Sequence, residues 1–164
     1  MPATFSLTNG STDWRPALSA LTNSDPNWLQ QFGNMHPGTT AALQRAAAAT
    51  TNPVGMCLQV VREWFNVPAS APTAIAAWEA ASPQFQHNFY YPPAGVPVFY
   101  SGGSQGAGHV AMSIGYGMIR STDQTGPGQV STVSISQITK AWGLTYLGWT
   151  ETLNGVRVYQ IGQV

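Results

Sequence analysis

Charge is scarce in this chain: six Lys and Arg balance six Asp and Glu among 164 residues. Without a basic field to gather a polyanion by counterion release, nucleic acid is not an expected partner. Cysteine is scarcer still. The single thiol, Cys57, excludes an internal disulfide and fits synthesis in a reducing cytosol. The opening residues MPATFSLTNGSTDW have neither the positive start nor the apolar run of a signal peptide. No apolar run approaches the roughly 18 residues of a membrane span; AALQRAAAATT is short and interrupted. A metal-binding pattern is also missing. His36 and His87 lie far from His109, no H-E-x-x-H occurs, and zinc is not expected. The glycine-rich SGGSQGAG lacks both a P-loop lysine and a following helix, so it reads as a flexible loop rather than a phosphate cradle.

What is present is apolar residue in quantity, 43% of the chain, enough for the core of one compact domain. The first half reads as helices. SDPNWLQQF has Asp25 as N-cap and Pro26 at the first helical position; HPGTTAALQRAAAATT follows a Pro37-Gly38 turn with Thr39 or Thr40 as cap; GMCLQVVREWFNVP stops before Pro68; SAPTAIAAWEAAS is shorter. After residue 90 the pattern changes to short β-rich runs, GVPVFY, HVAMSIG, MIRSTD, QVSTVSI, TYLGW and VRVYQI, with a helix SQITKAW ended by Gly143. Asn154-Gly155 is the strongest hairpin signal, because a type I′ turn needs positive φ at both central residues. Helices followed by a meandering sheet indicate an α+β fold.

Three residues carry the chemistry. On the helix GMCLQVVREWF, Gln59, Arg62 and Glu63 share a polar arc, while Met56, Cys57, Val60, Val61, Trp64 and Phe65 occupy the other. Cys57 is thereby core-facing, and a buried structural cysteine is its commonest role. Gly55 and Pro53, however, put it in or near the first turn, where unpaired amides and the helix dipole favour a thiolate and can hold an oxyanion. If Asn52-Pro53 instead begins the helix, Cys57 lies one turn in and that effect weakens. A base is found in GHVAMSIGYGMIRSTD. His109, Ala111 and Ser113 alternate with Val110, Met112 and Ile114, so His109 faces away from the sheet's apolar layer. A three-residue loop Gly115-Tyr116-Gly117 pairs Ile114 with Met118, Ala111 with Ser121 and His109 with Asp123, making Asp123 the group that orients the imidazole. A loop one residue shorter or longer brings Thr122 or Gln124 there instead. A thiol, an imidazole and an orienting side chain form the triad of thiol hydrolases.

GMCLQVVREWF, AGVPVFYSGGSQGAGHVAMSIGYGMIRSTD and WGLTYLGWTETLNGVRV resemble the CHAP and NlpC class of papain-like peptidoglycan hydrolases, particularly the peptidase or amidase domains of bacteriophage lysins. The resemblance extends over residues 52–160. It implies a papain-like fold with the cysteine helix packed on an antiparallel sheet, and metal-free cleavage of a peptidoglycan amide through a thioester. Cys57 would attack, His109 would relay the proton, and the Cys57 amide would contribute to the oxyanion hole. Relatives carry Glu, Asn, Gln or His as the third polar residue, so Asp123 departs from them at a variable position. Residues 1–45 lie outside the resemblance, as an accessory helical segment of the unit whose hydrolase part is 46–164. Among the aromatics, Trp149 and Tyr100 are the candidates for a substrate-binding wall. A monomer is expected, made in a host cytoplasm and acting on the wall after release or delivery. The competing expectation is a non-catalytic wall-binding or phage structural module.

Overall fold

A computed structural model describes residues 36–88 and 91–160. The expected helix SDPNWLQQF lies outside the described residues. Helix α1 (Thr39–Ala48) is preceded by Gly38, with no side-chain cap, so neither Thr39 nor Thr40 plays the expected part. Its C-terminal carbonyls are held by Arg120, whose Nε donates to the Ala46 carbonyl (2.9 Å) and whose Nη2 donates to that of Ala49. Helix α2 (Cys57–Phe65) turns at Asn66, which takes φ 60° and sends the chain away ahead of Pro68. Helix α3 (Ala74–Ala80) is capped by Thr73, whose hydroxyl accepts from the Ala76 amide (3.1 Å).

The strands are β1 (Gln86–His87), β2 (Pro97–Ser101), β3 (His109–Gly115), β4 (Met118–Thr122), β5 (Val130–Ser134) and β6 (Thr145–Thr150). They form one antiparallel sheet in the order β1-β6-β2-β3-β4-β5. Helix α4 (Ile135–Trp142) follows β5 and ends at Gly143 in the left-handed conformation (φ 71°). Strands β7 (Thr152–Leu153) and β8 (Val156–Arg157) form a separate hairpin, with Asn154 and Gly155 at φ 52° and 81° as its sequence predicts. The fold is α+β, mixed helix and antiparallel sheet.

Alternation along the strands divides the core into two layers. Phe99, Val110 and Met112 meet Val60, Val61, Trp64 and Phe65 of α2, with Ala42 and Ala46 of α1 behind them. Each large side chain so buried contributes about 1.5–3 kcal/mol. On the other face Val98, Tyr100, Ala111 and Ile119 pack on Ile135 and Ile138 of α4 and on Tyr159. The face carrying His109 and Ser113 is therefore covered rather than solvated, because α4 folds back over it. Met56 departs from its expected place on the apolar arc: it precedes the helix and stays exposed.

Candidate functional site

Cys57 is the first residue of α2, which settles the position along the helix that Asn52-Pro53 left open. The turn before it is closed by a bond from the Met56 amide to the Pro53 carbonyl (3.2 Å). The first intrahelical bond runs from Val60 to Met56, leaving the amides of Cys57 and Leu58 aimed at the helix N-terminus. Cys57 is half-buried and in no disulfide. Burial pushes its thiol pKa up, against the amides of Val110, Leu58 and Cys57 itself, which favour the thiolate; the nearby Asp123 charge adds to the rise.

The Val110 amide belongs to β3 next to His109, and this places the start of that strand against the helix that Cys57 opens. Cys57 and His109 line one cleft, together with Gly55, Gly108, Asp123, Pro127, Trp142 and Val54. Gly108, just before the strand, has φ 77°, and a Cβ there would stand 2.6 Å from the Tyr100 carbonyl oxygen. The close passage past β2 that delivers His109 thus requires glycine.

His109 is buried, 5% exposed, with its ring and that of Trp142 in a T-shaped contact at 5.0 Å between centroids. Its Nε2 lies 2.9 Å from Ser121 Oγ. That hydroxyl lies 3.4 Å from the Thr122 carbonyl, its acceptor. Ser121 therefore takes the place expected of Asp123. Ladder register is not the reason, since Ser113 pairs with Ile119 as expected. The loop is the two-residue turn Tyr116-Gly117, and a bulge at Ile114 restores the alignment that a three-residue loop would give. What differs is that His109 reaches diagonally to Ser121, while the chain leaves the sheet beyond Thr122, Asp123 taking φ 62°.

Asp123 lines the same cleft but has other partners. Its Oδ1 accepts from Asn52 Nδ2 (3.0 Å) and the Gly128 amide (2.7 Å), its Oδ2 from the Gly55 amide (2.8 Å). Burial would raise its pKa, yet these three donors and the neighbouring His109 outweigh burial and hold the carboxyl below its ordinary range. The clamp is continued by the Asn52 amide donating to the Gly128 carbonyl (2.9 Å) and a bridge between Thr51 and Gln129. Burial likewise drives the His109 pKa down, to about 4, although the Asp123 charge pulls the other way. Thiol and imidazole are consequently both neutral near pH 7.

Tyr100 and Trp149 do not form a wall. Tyr100 is 0% exposed and donates to the Ile135 carbonyl (2.8 Å); Trp149 is 3% exposed, packed between His87 and Tyr159. Their positions on central strands β2 and β6 bury them. The aromatic side chain at the cleft is Trp142, 39% exposed, projected by the last turn of α4. Its place in the last turn, just before the helix-ending Gly143, is the sequence signal for an edge position. Among the described residues no three or more His, Cys, Asp or Glu gather as a metal site, and no helix is long and apolar enough to cross a membrane. Comparison with protein-family models, curated proteins and solved structures finds no match.

Proposed function

We propose that this chain is a thiol hydrolase of bacterial peptidoglycan with a papain-like fold, resembling CHAP and NlpC lysin domains. The observation that carries the reading is the shared cleft of Cys57 at a helix start and His109 at a strand start. With Nε2–H donating to Ser121, Nδ1 is the nitrogen left to accept the thiol proton. As the proton passes to His109, the sulfur attacks the amide carbonyl, and the oxyanion is met by amides of the first turn of α2. Collapse breaks the C–N bond, the amine takes the proton from His109, and the acyl group remains as a thioester. Water then attacks, His109 again accepting and returning a proton, and a carboxylic acid leaves the free thiol. Starting from a neutral pair, the enzyme depends on general-base transfer during attack rather than on a stored thiolate.

Mass spectrometry of products from purified walls tests this reading. Wild type is expected to release muropeptides with new amino and carboxyl ends. Cys57→Ala and iodoacetamide-treated protein are expected to release none while keeping the far-UV spectrum of the folded chain. Release by folded Cys57→Ala overturns the mechanism, and wall binding without release by either form returns the non-catalytic alternative.

A further inference from the structure

The cleft has two lobes that meet at the nucleophile. One, about 300 Å³, is walled by His109, Asp123 and Trp142. The other, about 310 Å³, runs past Met56, Gln59 and Arg62 towards Pro72 and Thr73. Gly55, Cys57 and Gly108 are common to both. Resting on the hydrolase reading, proton traffic assigns the lobes. The departing amine must collect its proton from His109, so it leaves through the lobe that His109 lines. The acyl half stays on Cys57 and extends into the other lobe.

In that second lobe Arg62 is the charged side chain. Its Nη1 donates to the Val67 carbonyl (3.1 Å), which fixes the guanidinium beside the end of α2. The ion pairs among the described residues are those of Glu151 with His87 and Arg157, so Arg62 stands in the cleft with no carboxylate opposite it. An arginine so placed has further N–H donors in a planar fork suited to a carboxylate. At five residues beyond Cys57 it lies about 7.5 Å along the helix axis and about 140° round it, a separation of about 10 Å, the reach of roughly three residues of extended chain. We propose that Arg62 is a specificity-determining residue that binds a carboxylate on the acyl half of the substrate, within about three residues of the bond cut. A stem peptide with a free acidic group there is the matching chemistry; one whose acid has been amidated is not.

Two synthetic stem peptides, identical except that this acyl-half group is carboxylate or carboxamide, test the assignment. Wild type is expected to favour the acid by about ten- to a hundredfold in kcat/KM. Arg62→Gln should bring the ratio towards one, chiefly through a higher KM for the acid, and Arg62→Lys should restore part of it. A binding titration of Cys57→Ala with the same pair gives a readout independent of turnover, with the acid's advantage shrinking as salt rises. Equal use of both peptides by wild type, or an unaltered ratio in folded Arg62→Gln, overturns the role of Arg62 and leaves the hydrolase reading standing. If wild type cleaves neither peptide, the hydrolase reading is the one in difficulty. The titration then decides Arg62 alone: tighter binding of the acid, lost in the Cys57→Ala, Arg62→Gln double variant, supports it, and equal binding overturns it.

Discussion

The imidazole of His109 is held by a neutral hydroxyl, while the nearby carboxylate of Asp123 is occupied by amides, and the two arrangements have different kinetic consequences. Removing the Ser121 hydroxyl leaves buried Nε2 without its partner, so Ser121→Ala is expected to lower kcat roughly tenfold at pH 7. The acid limb of the kcat/KM profile should lie near pH 4, where His109 gains its proton, rather than near the 6.5 of an exposed histidine. Asp123→Asn removes a charge that raises the His109 pKa, so its acid limb should move lower still. Were Asp123 the orienting group, Asp123→Asn would remove most activity at pH 7 and Ser121→Ala would do little. Measuring both profiles distinguishes the two arrangements. The placement of Cys57 and His109 was legible because a thiol at a helix opening and a histidine at a strand opening each leave a local pattern. Ser121 was not, since a diagonal contact depends on side-chain reach and on the chain's exit from β4.

Among the elements, legibility followed how local the determining interaction is. The Asn154-Gly155 hairpin and the end of α4 at Gly143 were readable from backbone preference within a few residues. Strand β1 was not, because its two residues gain their conformation from pairing with β6, more than sixty positions away. That distant pairing constrains Gly148 of β6, which has φ 138°; a Cβ there would lie 2.1 Å from the His87 carbonyl oxygen and 2.9 Å from Asn88 Cα. Gly148→Ala is therefore expected to cost about 2–4 kcal/mol, from backbone strain together with overlap. Gly155→Ala meets nothing within 4 Å at φ 81° and should cost about 1–2 kcal/mol, the left-handed penalty alone. Denaturant titration of the two variants checks the contrast; equal losses would mean that the β1–β6 approach relaxes freely.

At the scale of the whole molecule, sparse charge makes one buried titrating group unusually visible. Covered by α4 and the ring of Trp142, His109 has a folded pKa of about 4, set first by burial. The unfolded chain titrates this residue near 6.5. Between those values the unfolded state holds a proton that the folded state lacks, so acidification favours unfolding. The contribution is fully present above pH 6.5 and is lost as pH falls through 4, a difference on the order of 3 kcal/mol. Asp123 works in a separate window: its folded pKa is depressed, and its contribution disappears only as pH falls below the ordinary carboxylate range. Urea midpoints at pH 7 and 4.5, compared between wild type and His109→Gln, therefore separate His109 from Asp123 and from the His87–Glu151 contact that both proteins share. Wild type should lose stability between them, whereas His109→Gln, a neutral side chain that can still donate to Ser121, should show a much smaller change. A pH dependence in His109→Gln as steep as that of wild type would mean that His109 titrates in the fold as it does in the unfolded chain; a loss in wild type smaller than in His109→Gln would mean that the fold favours the imidazolium, and the neutral pair assumed for attack would have to be replaced by an ion pair.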